Sequence, residues 1–232
     1  MLIAQISDPH LTPPGTLYQG LVDGAVCLRV ALEQIARLTP RPDLVLLTGD
    51  LAEDGSAETY ALARQILAEF DLPLCLIPGN HDNRTAFRTA FGGPAEGPLH
   101  VVKDGALRVV GLDITVPGDH HGLFDAAAED WLAETLSTAP DHPTLIAMHQ
   151  PPFASGMAFI DDYRCFGEDR FARLIGNNPQ VQAVVCGHIH RFAMRWLGGT
   201  LAMTAPSLTS AIELRLARDA TPASVIEPPA YL

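Results

Sequence analysis

Short apolar runs that stop abruptly at polar residues punctuate this chain. The first covers residues 2–7 and stops at Asp8-Pro9-His10. Others cover 43–48 before Gly49-Asp50, 72–77 before Pro78-Gly79-Asn80-His81-Asp82, and 144–148 before His149-Gln150. The last covers 181–186 before Gly187-His188-Ile189-His190. Runs this short, with almost no polar interruption, fit strands buried on both faces. Helical spacing lies between them. Val22, Ala25, Val26, Leu28, Leu32, Ile35 and Leu38 predict an amphipathic helix over 22–38, stopped by Pro40 and Pro42. Ser56 is placed to cap a second helix through Tyr60, Leu62, Ile66, Leu67 and Phe70, and Asp125 another carrying Trp131, Leu132 and Leu136. Shorter helices fit 83–91 and 168–175. Alternating strands and helices predict an α/β fold. In such folds ligands gather beyond the C-terminal ends of strands.

The remaining stretches are less regular. Residues 99–102 and 107–112 read as a hairpin about Asp104-Gly105. Residues 12–20 and 116–124 read as loops. Residues 153–166 have no clear period, and the stretch of about 151–170 reads as a long loop or lid. Residues 196–226 contain β-like runs, such as 211–216, but no chemical motif. No repeat, charge block or linker divides the chain, so 1–232 reads as a single domain.

Composition changes little in this picture. Hydrophobic residues make up 47% and charged residues 18%, which is a folded, globular balance. Net charge is −12, from 15 basic and 27 acidic residues, which argues against a nucleic-acid polymer or a membrane surface as partner. A small anionic substrate stays open, because bound cations reverse the sign of a site locally. No apolar run reaches the ~18–20 residues of a membrane span. The start, Met1-Leu2-Ile3, has no basic segment or cleavage site. Cys27, Cys75, Cys165 and Cys186 form no Cys-x-x-Cys pair. Reduced cysteines in a cytoplasmic protein are expected.

The strand ends carry the chemistry. Asp8, His10, Asp50, Asn80, His81, His149, His188 and His190 all follow strand-like residues at five such ends. Asp8 and His10, two apart, would point the same way if strand geometry persists. Gly49, Gly79 and Gly187 each precede one of these polar residues and let the backbone turn sharply. Any one residue alone reads as a turn or an interior histidine. Together they need a metal, because buried unpaired charges are costly. Oxygen and nitrogen donors without thiolate suit Mn, Fe, Zn or Co. Seven donors exceed one tetrahedral ion and suit two ions about 3.5–4 Å apart, a phosphoester-hydrolysing arrangement.

In order and spacing, Asp8-x-His10, Gly49-Asp50, Gly79-Asn80-His81-Asp82, His149 and Gly187-His188-x-His190 resemble the calcineurin-like metallophosphoesterases. Leu17-Tyr18, His149-Gln150-Pro151-Pro152, Gly156-Met157 and Glu227-Pro228-Pro229-Ala230-Tyr231 resemble the bacterial class III cyclic-nucleotide phosphodiesterases and glycerophosphodiesterases. The resemblance implies a four-layer α/β/β/α sandwich with its site at strand C-termini. It implies Asp8, His10, Asp50 and His190 around one divalent ion and Asp50, Asn80, His149 and His188 around the other, Asp50 bridging. A hydroxide held by the metals would attack the phosphorus of a 3′,5′-cyclic nucleotide or glycerophosphodiester, with His81 beside the phosphate as proton donor or charge stabiliser. Asp82 either orients His81 or caps the backbone. Asn80, His81, Tyr18 and Met157 would contact substrate. Relatives often continue past the Glu-Pro-Pro-Ala-Tyr segment, which bears on specificity and on a possible homo-oligomer.

Other readings are kept beside this one. A phosphomonoesterase or nucleotidase would need more positive charge near the site, and Arg84, Arg164 and Arg191 are the candidates. A non-catalytic scaffold would have lost ligands. Phe153, Met157, Phe159 and Tyr163 either touch substrate or cover core. Phe87 and Phe91 read as core, His100 and His142 as surface, and Asp161 and Asp162 as solvated or local caps. His120 and His121 read first as loop residues without a site role, and reaching the site mouth is the second reading.

Overall fold

The computed structural model of the protein describes residues 1–226. The Glu227-Pro228-Pro229-Ala230-Tyr231 segment lies outside the described residues. The chain runs β1 (Ile3–Ile6), α1 (Gly24–Ala36), β2 (Leu44–Thr48), α2 (Ala57–Ala68), β3 (Leu74–Ile77) and α3 (Arg84–Phe91). It continues through β4 (Val101–Lys103), β5 (Arg108–Leu112), β6 (Gly122–Leu123), α4 (Ala126–Ser137) and β7 (Thr144–Met148). Next come α5 (Ala158–Asp161), β8 (Cys165–Phe166), α6 (Glu168–Gly176) and β9 (Val181–Cys186). Last are β10 (Ala193–Leu197), β11 (Thr200–Thr204), β12 (Ser210–Ile212) and β13 (Ser224–Ile226).

Two sheets stack face to face. One is parallel, in the order β1-β2-β3; the other has six strands in the order β10-β11-β9-β7-β5-β4. The apolar runs explain the stacking residue by residue. In β2, Leu44 and Leu46 face the other sheet, while Val45 and Leu47 face the helices. In β7, Leu145 and Ala147 face the first sheet, while Ile146 and Met148 face helices on the far side. Period-two alternation therefore feeds two different cores, so the only polar positions in these two strands are the end residues Thr48 and Thr144. Leu28, Leu32 and Ile35 of α1 and Tyr60, Ala63 and Ile66 of α2 cover the first sheet. Leu132 and Leu136 of α4 and Phe171 and Ile175 of α6 cover the second. The result is the expected α/β/β/α sandwich.

Local expectations hold in most places. Ser56 caps α2 through the Thr59 amide and Asp125 caps α4 through the Ala128 amide. The hairpin of β4 and β5 forms as expected. Helix α1 is shorter than the apolar stripe, because Asp23 caps its start and Arg37 ends it, and Val26 within it faces solvent. The 153–166 stretch is more ordered than its pattern suggests. It holds α5 and β8, and β8 pairs with β6 from the loop after β5. Asp161 accepts hydrogen bonds from the amides of Ser155 and Gly156 and from the Ser155 hydroxyl, bracing this stretch. His100 and His142 are not free surface groups. His100 stacks on Trp131 and accepts from the Asp113 amide, and His142 is bonded to the Gly105 carbonyl. Among the described residues, no helix is long and apolar enough to cross a membrane.

Candidate metal centre

Backbone strain is concentrated at one end of the sandwich. Asp8 (φ 53°), His10 (φ 43°), Asp50 (φ 50°), His188 (φ 72°) and His190 (φ 53°) are left-handed. Gln19 is the one other non-glycine residue in that region among the described residues. The conformation costs roughly 1 kcal/mol or more at each position. It turns the chain back at the strand ends and aims the side chains into one place. Asp8 and His10 do converge, but not through strand alternation. Strand β1 ends at Ile6, and two left-handed turns bring them together.

The glycines are required by proximity. A Cβ on Gly49 would overlap the His149 ring, and one on Gly79 the Asp50 carboxylate. One on Gly187 would overlap the Ser7 hydroxyl and the Asp8 carboxylate. Each glycine lets a neighbouring strand end pack its polar side chain where a methyl group would sit.

Asp50 lies at the middle of the cluster. Its Oδ2 is 3.2 Å from His149 Nε2 and 3.8 Å from His10 Nε2. Its Oδ1 accepts from the His81 amide at 2.9 Å. Asp8 accepts from the His188 amide, and its Oδ1 lies 3.4 Å from His190 Nε2. The fully buried donor atoms form two groups, Asp8 with His10 and His190, and Asp50 with His149 and His188, each within 4.8 Å; His10, Glu53 and His81 form a third, partly buried one. Asn80 and His81 line the same cavity of about 320 Å³.

The outer nitrogens decide which way the imidazoles face. His149 Nδ1 donates to the Thr48 carbonyl at 2.7 Å and His190 Nδ1 to the Ser210 carbonyl at 2.8 Å. His10 Nδ1 meets Glu53 Oε2 at 2.7 Å. A carbonyl can only accept, so the proton sits on Nδ1 and Nε2 is left facing inward. His10 Nε2 and His190 Nε2 then face one another at 3.0 Å. His149 Nε2 and His188 Nε2 are buried without a hydrogen-bond partner. Buried polar nitrogens without a partner are costly, and cations between the groups would satisfy all four nitrogens once any proton on them is displaced. The residues therefore fit a metal pair.

Electrostatics points the same way. Burial raises the Asp8 carboxyl, but the His190 and His149 charges overcome it and hold the group at about 2. Burial likewise opposes ionisation of Asp50, and His149 overcomes it, keeping that carboxyl well below its usual range. Burial lowers His149, yet Asp50 and Asp8 push it up to about 9. Burial and the neighbouring His149 push His188 down to about 3. Two buried carboxylates make this pocket strongly attractive to positive charge.

Glu53 was not visible as a functional residue in the sequence. Its Oε2 lies 2.7 Å from His10 Nδ1 and 3.2 Å from His81 Nδ1, so one carboxylate holds two imidazoles. The available signal was chemical. Each inward-facing imidazole needs a partner for its outer nitrogen, and Glu53 stands three residues beyond Asp50. Asp82, by contrast, does not orient His81. It accepts from the amides of Leu51, Ala52 and Gly79 and from the Tyr60 hydroxyl, which makes it a backbone clamp.

Tyr18 stacks on His10 at 4.4 Å and lines the cavity. Met157 does not, being buried against Ile160 and Ile189. Phe153 is buried in the α4–α6 core, whereas Phe159 and Tyr163 line the cavity, as His81 does. His120 reaches the cavity. His121 instead pairs with Asp119 and lies against Phe166. Arg84 is bound to both oxygens of Asp113, Arg164 to Glu168, and Arg191 donates to the Ile212 carbonyl. Among the described residues, no lysine or arginine lines the cavity.

Comparison with known proteins places the chain. The probable glycerophosphodiester phosphodiesterase GpdQ of Arcobacter nitrofigilis is 34% identical over 235 residues, covering 99% of this chain and 86% of that protein. The 3′,5′-cyclic adenosine monophosphate phosphodiesterase CpdA of Pseudomonas aeruginosa is 32% identical, covering 89% of this chain and 76% of that one. A dimetal phosphatase from Danio rerio has the same fold, with a TM-score of 0.71 at 16% identity over 89% of this chain and 87% of its own. A match to the family described as calcineurin-like phosphoesterase spans residues 1–192. With that match running from β1 through the His188-x-His190 turn, the chain belongs to the calcineurin-like phosphoesterase family.

Proposed function

We propose that this protein is a dinuclear metal-dependent phosphoric diester hydrolase. The observation that carries the reading is the place of Asp50 Oδ2 between His10 and His149, one in each donor group. On this reading Asp8, His10, Asp50 and His190 hold one ion, and Asp50, Asn80, His149 and His188 hold the other. When bound, a pair of Mn, Fe, Zn or Co class ions supplies Lewis acidity at the phosphate oxygens and a nucleophile at neutral pH. His81 stands over the cavity, its amide fixed on Asp50 and its ring on Glu53. It donates a proton to the leaving alkoxide, which is too basic to depart readily alone. Tyr18, Asn80 and His81 contact the substrate's polar part, and Phe159, Ile160 and Tyr163 its organic part. A cavity without lysine or arginine suits a singly charged diester better than a doubly charged monoester. The named relatives support glycerophosphodiesters and 3′,5′-cyclic nucleotides as the substrates to try. Four unpaired cysteines support a reducing, cytoplasmic setting.

Metal content by elemental analysis tests the reading, together with hydrolysis of bis-para-nitrophenyl phosphate and its monoester with and without Mn. About two ions per chain and a diester preference are expected, after which cyclic AMP and glycerophosphocholine are compared. Monoester preference would make the protein a phosphatase, and absence of both metal and activity would sink the catalytic reading.

Two expectations follow from individual groups. Loading must displace a proton from His149, whose pKa lies near 9. Apparent metal affinity should therefore rise between about pH 6 and about pH 8, with proton release on binding. Calorimetry in buffers of different ionisation heat measures this, and a pH-independent affinity would contradict it. Glu53→Ala should lower kcat by roughly tenfold to a hundredfold, because both His10 and His81 lose the group that fixes them. Steady-state kinetics with unchanged kcat would remove Glu53 from the site.

A further inference from the structure

We infer that His120 is a positioning residue that selects which atom of Asn80 faces the metal centre. The inference rests on the proposed metal site and goes beyond its ligands. It starts from a group whose role is fixed. The His120 backbone carbonyl can only accept, and the Gln150 side chain lies 3.0 Å from it, so the Gln150 atom there is Nε2. That same Nε2 lies 3.4 Å from one side-chain atom of Asn80, which must then be the acceptor Oδ1. The other amide atom, Nδ2, is left to donate, and it meets His120 Nδ1 at 3.1 Å.

The chain of donors thus runs in one direction only. Turning the Asn80 amide over would set its NH2 against the Gln150 NH2 and, on the proposed ligand set, would exchange its oxygen for its NH2 as the ligand. An amide binds a hard cation through its oxygen, so the orientation is a condition for ligation. Gln150 contributes weakly, at a distance near the limit of a hydrogen bond. The shorter contact to His120 carries the choice.

The loop carrying His120 is built for this. Asp119 Oδ1 accepts from the amides of His120 at 2.7 Å and His121 at 3.3 Å. The two rings then diverge, His121 towards Phe166 and His120 towards the cavity. There the His120 ring lies 5.5 Å from His81 and 5.8 Å, edge to face, from Tyr163. His120 itself is exposed, so substituting it removes little packing.

The test is a Mn titration by calorimetry on wild type, His120→Leu and His120→Gln, with kcat and KM measured in parallel. Wild type is expected to fill two sites. His120→Leu, which has no acceptor, should weaken one site by about tenfold to a hundredfold and leave the other unchanged. His120→Gln, which keeps an acceptor, should recover part of that loss. Two sites of unchanged affinity in His120→Leu would overturn the inference, and so would a rise in KM without any change in metal affinity. Fewer than two sites in wild type would instead sink the metal reading and this inference with it.

Discussion

Asp50→Asn should lower kcat/KM towards a diester by about four orders of magnitude, or about 5–6 kcal/mol of transition-state stabilisation. The substitution keeps the size of the side chain and an oxygen that can accept from the His81 amide, so the fold is retained. What it removes is the negative charge between the two donor groups. Both groups are affected, because Asp50 Oδ2 faces His10 on one side and His149 on the other. Elemental analysis should show less than two ions per chain, with an unchanged circular dichroism spectrum. Activity within about tenfold of wild type would show that Asp50 does not bridge.

Asp82→Ala should have the largest effect on stability. One carboxylate satisfies three backbone amides and the Tyr60 hydroxyl, at 2.8–3.1 Å. Those amides belong to two separate strand-end loops, after β2 and after β3. Each lost partner costs about 1 kcal/mol or more, so the sum is about 4 kcal/mol. For a domain of this length that is a fall in melting temperature of about 10 °C. Differential scanning calorimetry reads it directly, and a fall below about 3 °C would mean that water replaces the carboxylate without difficulty. Activity should fall too, because Asp50 and Asn80 sit on the loops that lose their clamp.

These two residues mark what was legible in the sequence. Asp50 could be found because it ends an apolar run after a glycine, and its companions repeat that pattern. Strands such as β2 and β7 were equally plain, since covering a sheet on both faces leaves them apolar except at the end residues Thr48 and Thr144. The role of Asp82 was not readable. A carboxylate after a turn can reach forward to a histidine or back to its own backbone, and only the folded chain decides. Glu53 was hidden for a related reason, because its partners His10 and His81 are 43 and 28 residues away. The placement of Met157 depended on Ile189, a residue beyond β9 that nothing in the lid stretch announces. The β6–β8 pair was missed because two-residue strands carry no period.

The split of the donors between the sheets bears on how the protein is made. Asp8, His10, Asp50 and Asn80 follow β1, β2 and β3, whereas His149, His188 and His190 follow β7 and β9 of the other sheet. On the proposed assignment each ion draws ligands from both. A nascent chain leaving the ribosome therefore holds only part of either coordination shell until β9 has emerged and docked. Cations captured by the N-terminal segment alone would lack His190 in one shell and His149 and His188 in the other. Metal capture then comes late in biogenesis, as the step that locks a completed sandwich rather than the seed around which it forms.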